Sequence, residues 1–431
     1  MISISDTYKQ KIINELISNK IEILFPDGEF ETITETNIES ESMNLKQSIC
    51  DEDSLRFGGC IASQFKISLI NTTDRIFDSK LAGCWIAVRL TQSFPSGNPL
   101  FCGNVYPEYS LYPGETVTGK VWYVFNGVID SADIDKNDRN KITIVAYDVI
   151  SQLYSVDVTN VLQNAWINEQ GTTVGTIITA VADKIKSLCN NSVGTGFASS
   201  RILNEIINQA ENLTVKNMRI YNDVWINDAE KLNYGQMIAY IAEMLGAFIF
   251  VKPASSRGGD VSFVQLEDDI AKSEIYNFYE SLYTYERKVS PYTSVQFSVG
   301  GTNRIAKIRT YDFALTTSHV IYDMTNNIFV WQENDNAGGG YTHKFENLFS
   351  GATGARLNNL PYIPIEATLD GRLWVEVGDM ICIKTYVTDA DGNYIYNTDG
   401  TAKTENVKSY VLSRELTGIQ ALTDNIIAKG V

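Results

Sequence analysis

VWYVFNGVIDSADIDKNDRNKITIVAYDVISQLYSVDV, residues 121–158, reads as two strands, a polar turn and the start of a helix. The runs 121–134 and 141–150 are the strands, and DKNDRN (135–140) is the turn between them. At Asp148 the pattern changes, and VISQLYSVDV (149–158) reads as a helix leaving the last strand. Strand-like text lies before this junction and helical text after it. A boundary near residue 150 follows.

Upstream, SQFKISLIN (63–71) places Phe65, Ile67 and Leu69 on one strand face. GCWIAVRLT (83–91) repeats the alternation with Cys84, Ile86, Val88 and Leu90. The segment from Ser93 to Gly119 is rich in Pro and Gly and reads as a long loop. KIEILFPDGEFETIT (20–34) reads as a hairpin around Pro26-Asp27-Gly28. Residues 6–19 read as a short helix capped by Ser5 or Asp6, with Tyr8, Ile12, Ile13, Leu16 and Ile17 on one face.

Downstream, TTVGTIITAVADKIKSLC (172–189) has the spacing of an amphipathic helix capped by Thr172 or Thr173. RILNEIINQAENL (201–213) reads as another helix. NYGQMIAYIAEML (233–245) reads as a third, with Met237, Ile238, Ile241, Ala242 and Leu245 in one stripe and Gly246 as its stop. AFIFVK and DVSFVQL then form a hairpin around PASSRGG. From about Leu282 strand-like runs return, among them RIAKIRTYDF, RLWVEVGDMICIKTYV and KSYVLSREL. HKFENLFSGATGARL (343–357) interrupts them as a helix. The expected fold is α+β and mainly β: two β-barrel-like regions flanking a mixed helical and hairpin middle region. The expected division is 1–150, 151–281 and 282–431.

A chain of 431 residues exceeds the roughly 250–300 residues of one core, so several domains are expected. The abundance of Tyr (23) and Phe (18) favours strands. A formal charge of −17 excludes a tightly held nucleic acid, because phosphate binding needs clustered cations. Cys50, Cys60, Cys84, Cys102, Cys189 and Cys382 match no CxxC metal pair. The N-terminal stretch has no apolar signal core, and no run approaches the ~20 apolar residues that span a bilayer. Cytosolic synthesis and six reduced thiols are expected.

Little in the sequence can run acid–base chemistry. The two histidines, His319 and His343, sit in unpatterned surroundings, and a packing or surface role is the reading for His319. No HExxH, GxSxG or Walker loop is present. Asp133, Asp135 and Asn137 have the oxygen spacing of a calcium loop. Position six would be Asp138 and position twelve Ile144, so the Gly and the bidentate Glu are missing. Asp389, Asp391, Gly392 and Asn393 are similar but too compact, and Asx-Gly pairs form ordinary turns. Glu211, Asp223, Asp228 and Glu230 read as a solvated acidic face. A glycosidase pair is the sharper alternative, and it needs a spacing of about 5–10 Å that a sequence does not show. Cys60 and Cys84 lie in apolar strand contexts and read as small core residues. Trp122, Trp166, Trp225, Trp331 and Trp374 are scattered through the sequence, as core or interface aromatics are.

Several segments together resemble a family of tail-tip hub proteins from phages and prophages of low-GC Gram-positive bacteria. They are DEDSLRFGGCIASQFKISLIN (51–71), AGCWIAV, the junction IVAYDVISQLYSVDV, LNYGQMIAYIAEMLGAFIFV, LWVEVGDMICI and the closing VLSRELTGIQALTDNIIAKG. The resemblance covers nearly the whole chain and rests on the order and spacing of the pieces. The family is similar to baseplate hubs of contractile tails and to the N-terminal part of tail-associated lysins. It implies a structural hub, a ring of three subunits with barrel-like domains around a channel through which DNA passes. It implies a distal tail or tube protein and tip or fibre proteins as partners, and a place at the virion tail tip. No enzyme activity, cofactor, metal or membrane is expected. Because the chain stops at Val431, soon after the closing motif, the hub alone is expected, without a trailing peptidase or fibre module. Two rival readings remain. A tail-associated cell-wall hydrolase needs paired carboxylates or a zinc set. A receptor- or carbohydrate-binding tail protein needs aromatic clusters in loops and C-terminal repeats, and neither is found in the sequence.

Overall fold

The computed structural model describes residues 5, 8–9, 18–28, 30–50, 55–70, 81–93, 119–138, 140–157, 172–173, 183–184, 187–188, 219–220, 233–244, 246–255, 257–266, 273–277, 279–285, 292–301, 304–312, 320–327, 332–333, 354, 358, 362–389 and 391–429. The N-terminal region supplies β1 (Ser18–Leu24), β2 (Ile33–Thr34), β3 (Asn44–Ser48), β4 (Gln64–Ile70), β5 (Trp85–Ser93), β6 (Lys120–Ile134) and β7 (Lys141–Tyr147). The middle supplies α1 (Val149–Leu153), β8 (Thr172–Thr173), β9 (Arg219–Ile220), α2 (Tyr234–Met244), β10 (Phe248–Lys252) and β11 (Asp260–Val264). Next come β12 (Glu274–Tyr276), β13 (Tyr279–Thr284), β14 (Ser294–Gly301), β15 (Arg304–Asp312), β16 (Ile321–Asp323) and β17 (Gln332–Glu333). The chain closes with β18 (Ile365–Asp370), β19 (Met380–Tyr386), β20 (Thr404–Tyr410), β21 (Ser413–Thr417) and β22 (Thr423–Ala428). The fold is α+β and mainly β, as its alternating runs imply.

Alternation explains the strands locally. β7 buries Ile142, Ile144 and Ala146 and leaves the residues between them half-buried. β4 buries Phe65, Ile67 and Leu69, with Lys66 exposed and Ser68 half-buried between them. Phe65 stacks on Phe125 of β6 with ring centroids 5.2 Å apart. Each such Ile or Phe contributes roughly 1.5–3 kcal/mol by leaving water. The two ends of the chain share one eleven-stranded sheet, in the order β13-β18-β22-β21-β3-β4-β7-β6-β5-β1-β2. The link is β21 antiparallel to β3, with Ser413 opposite Ser48 and Thr417 opposite Asn44. The strand-rich ends read as two barrel-like regions are thus joined edge to edge through one pairing.

Several local readings shift. Ser18 and Asn19, read as the end of a helix, are strand residues paired with Ser93 and Gln92. The rest of that helix lies outside the described residues, apart from a helical turn at Tyr8 and Lys9. Thr172 and Thr173, read as helix caps, pair with Ile220 and Arg219. RLWVEV is not strand: Val375 N–H bonds to Arg372 O and Asp379 N–H to Glu376 O, making two tight turns before β19. Of the loop read from Ser93 to Gly119, Ser93 ends β5 and residues 94–118 lie outside the described residues, as do the 201–213 helix and nearly all of 343–357.

α2 forms where the 3.6-residue stripe predicts it. Asn233 Oδ1 accepts from Gln236 N, and Gln236 Oε1 accepts from Asn233 N, a reciprocal cap. Gly246 ends the helix at φ +60°. Met237, Ile238, Ile241 and Ala242 are buried, and the helix packs on β10. Leu245 lies outside the described residues. Ile241→Ala is expected to cost about 2–5 kcal/mol through the cavity it leaves. Tyr240→Ala, at a half-buried position, is expected to cost less. Urea denaturation of the two variants checks the facing, and the reverse order would place the other side of the helix inward.

Candidate functional site

Two charge clusters stand out, one inside the large sheet and one joining its strand β18 to β12 of the three-stranded sheet β12-β19-β20. The Arg414 and Asp424 side chains are 4% and 0% exposed and pair at 2.5 Å (Nη2 to Oδ2) and 3.2 Å (Nε to Oδ1). Arg414 also donates to the carbonyls of Val375 and Arg372, fixing the turns of RLWVEV from beneath. In the second cluster Arg372 Nη1 meets Glu274 Oε1 at 2.6 Å and Nε meets Asp370 Oδ2 at 2.9 Å. Its guanidinium lies 4.0 Å from the Tyr276 ring centroid. Lys9 reaches the same Glu274 at 2.5 Å. Trp122 of β6 sits between Tyr8 (6.3 Å) and Trp374 (6.4 Å). The N-terminal segment, β6, β12 and the turns before β19 therefore meet at one polar and aromatic knot.

A third cluster surrounds the FGGC loop, residues 57–60. Gly58 N–H bonds to Ala247 O, and Ile249 N–H bonds to Gly59 O, both at 2.8 Å. The loop thus adds to β10, just past the end of α2. Glu243 of α2 accepts from Tyr322 Oη (3.0 Å) and Asn327 Nδ2 (2.8 Å) and pairs with Arg56 at 3.5 Å. Burial raises its carboxyl above the ordinary range, opposed by Arg56 and these hydrogen bonds. Beside it opens a cavity of about 250 Å³ lined by Arg56, Gly58, Gly59, Cys60, Tyr154 and Glu243, among others. Burial, with the neighbouring Asp148 carboxyl adding to it, pushes the Cys60 thiol well up. It stays a thiol, so the cavity presents no thiolate nucleophile. Asp148 caps α1 through Ile150 N (3.0 Å) and accepts from Ser63 N (2.8 Å). Burial pushes its carboxyl up to about 7 against those two donors.

Two surfaces stand open. β13, at one end of the large sheet, pairs only with β18 among the described residues. Glu280, Ser281, Tyr283 and Thr284 are exposed on it, Tyr283 by 61%. Beyond β19 the chain extends into an arm, and Tyr386, Tyr394 and Tyr396 are exposed there by 54%, 54% and 62%.

The residues weighed from the sequence divide as follows. His319, His343, Glu211, Asp223, Asp228, Glu230, Trp166, Trp225, Trp331, Cys102 and Cys189 lie outside the described residues. Cys50, Cys60, Cys84 and Cys382 are buried, and none forms a disulfide. Trp122 and Trp374, distant in sequence, come together. Asp135 Oδ1 accepts from Asn137 N at 2.7 Å and Asp138 Oδ1 from Asn140 N at 3.0 Å, as Asx turns do. Asp389 Oδ1 likewise accepts from Asp391 N and Asn393 N. Among the described residues no three His, Cys, Asp or Glu are grouped to hold a metal ion. No helix among them is long and apolar enough to cross a membrane. The tyrosine group on the arm was missed. The sequence signal for it was YIY beside two Asp-Gly turns eight residues apart.

No family model matches the chain, and no curated protein matches it. Among solved structures, 98% of the chain aligns with a chain of the Francisella PdpA-VgrG complex in its half-lidded form, at 10% identity and a TM-score of 0.40. The alignment spans 61% of that chain, less than two thirds of its length. The chain is also similar over 96% of its length to the E. coli c3393 protein, at 8% identity, a TM-score of 0.37 and 77% of that chain. That protein is described as a component of the type VI secretion system with structural similarity to the T4 bacteriophage tail proteins gp27 and gp5. Both superpositions are loose, and neither fixes a function.

Proposed function

We propose that the chain is a structural hub at the tip of a phage tail or a related tail-like particle. In this reading three copies form a ring that caps or continues the tail tube and anchors the tip proteins. A distal tail or tube protein lies on one side, and DNA passes through the channel. The chain carries no catalysis of its own. The division at residues 150 and 281 belongs to the same proposal, with the outer regions joined through β3 and β21.

The observation that carries the reading is the open edge at β13. β13, of sequence YESLYT, has no Lys, Arg or Pro and exposes Glu280, Ser281, Tyr283 and Thr284, so one acidic side chain and a register shift between Tyr279 and Ser281 are its only protection as a sheet edge. It suits a ring-former, in which a neighbouring copy supplies the missing strand or cover. The segments that carry the family resemblance also meet in space, since FGGC docks on the strand that follows α2.

Tyr283→Lys tests this. A charge on an exposed edge is expected to change the unfolding free energy by no more than about 0.5 kcal/mol while blocking incorporation into particles. Normal assembly of a stably folded Tyr283→Lys protein would overturn the role given to β13.

A further inference from the structure

A sheet edge is sticky only where a strand of some length leaves its backbone groups open. β2, β8, β9, β12, β16 and β17, which lie at sheet ends, are two or three residues long. β10 carries the FGGC loop on its outer side, where Ile249 N–H bonds to Gly59 O, and β20 gives its Lys408 carbonyl to Ile363 N–H. β11 exposes none of its residues. Two longer edges remain among the described residues. β13 pairs only with β18, and β15 pairs only with β14, from Arg304 to Asp312. On β15, Thr310 and Asp312 are exposed.

The two edges differ in charge. β13, YESLYT, has one acid and no cation. At its start Tyr279 Oη lies 3.1 Å from Thr385 Oγ1, and exposed Glu405 stands opposite Thr385 on β20, so a second acid lies near that end of the strand. Lys384, beside Thr385, points to the other face of its own strand. On the adjacent β18, Glu366 is taken up by Lys429 at 3.1 Å. β15, RIAKIRTYD, carries Arg304, Lys307 and Arg309 against Asp312 alone. A strand of net positive charge stands out in a chain whose formal charge is −17.

Like charges placed opposite each other destabilise a strand pair, and opposite charges stabilise it. The cations of β15 therefore guard it against a second β15, as Glu280 guards β13 against a second β13. An acidic edge meeting a basic one is the pairing that these charges favour. The lengths fit as well: the nine residues of β15 span the six of β13. A contact between two different edges is head-to-tail and closes into a ring when the rotation allows it, whereas β13 against β13 would be two-fold and stop at a dimer.

We infer that β13 of one copy pairs with β15 of the next, so that each seam of the ring is a strand pair between an acidic and a basic edge. This rests on the ring of the proposed function and names the element of the neighbouring copy that covers β13.

Cross-linking in assembled particles tests this. Ser281→Cys is combined in turn with Lys307→Cys, Arg309→Cys and Thr310→Cys in the full chain, and the particles are oxidised. At least one combination is expected to give covalent dimers and trimers on a non-reducing gel, and no single variant is. Glu280→Lys is expected to lower incorporation about tenfold, because the same repulsion recurs at every seam. Its melting should be unchanged, since Glu280 is exposed. Adding Lys307→Glu or Arg309→Glu is expected to restore incorporation. No cross-link from any combination, a cross-link from Ser281→Cys alone, or charge reversals that never rescue Glu280→Lys would overturn the pairing. A three-copy ring in which β13 lies against another element would overturn it too and leave the hub reading standing. Particles with no ring of this chain would overturn the hub reading and the pairing with it.

Discussion

Asp424→Ala is expected to lower the unfolding free energy by about 3–5 kcal/mol, a large effect for one surface-distant side chain. Asp424 lies on β22 and Arg414 on β21, and the pair is nearly sealed from water. Burial raises the Asp424 carboxyl above its usual range, with Arg414 opposing the shift. Most of the cost of the pair is the desolvation of two charges, and each offsets the other's. Removing the carboxylate leaves the buried Arg414 guanidinium with two backbone carbonyls as its hydrogen-bond partners among the described residues. The double variant Arg414→Met/Asp424→Leu removes both charges and is expected to recover most of the loss. Guanidinium denaturation of the single and double variants checks this. A single variant within about 1 kcal/mol of the parent would mean that the pair is wetter than its burial implies.

Gly59→Ala is expected to cost about 3 kcal/mol or more, at the upper end of overpacking. A Cβ on Gly59 would stand 1.8 Å from Ile49 O and 2.8 Å from Ile49 C. Neither side can retreat cheaply. Ile49 N–H is bonded to Leu412 O beside the β3–β21 pairing, and Gly59 O accepts from Ile249 N. Gly28 is the control: its φ is +71°, but a Cβ there would meet nothing within 4 Å. Gly28→Ala is therefore expected to cost only about 1 kcal/mol of backbone strain. Equal melting temperatures for the two variants would show that the FGGC loop is not pinned as described.

What the sequence revealed was local. Alternation in SQFKISLIN and KITIVAY, the stripe in α2 and the turn at Pro26-Asp27-Gly28 depend on neighbours a few residues away, and each appears in the structure. What it hid was long-range. The pairing of β21 with β3 joins segments more than three hundred residues apart, and no periodicity encodes it. RLWVEV has the apolar content of a strand, but Arg414 draws in the carbonyls of Arg372 and Val375 and favours turns. The arm was legible as two Asx-Gly turns but not as a surface, because the Tyr386–Tyr394 contact exists only once the first turn has folded back. The acidic residues and histidines weighed for a hydrolase lie outside the described residues.

Cryo-electron microscopy of assembled particles tests the hub reading most directly. It predicts three copies of this chain around the tail axis at the tip, with β13 of each copy covered by its neighbour. Six copies at that position, a single copy, or a chain placed away from the tip would contradict it.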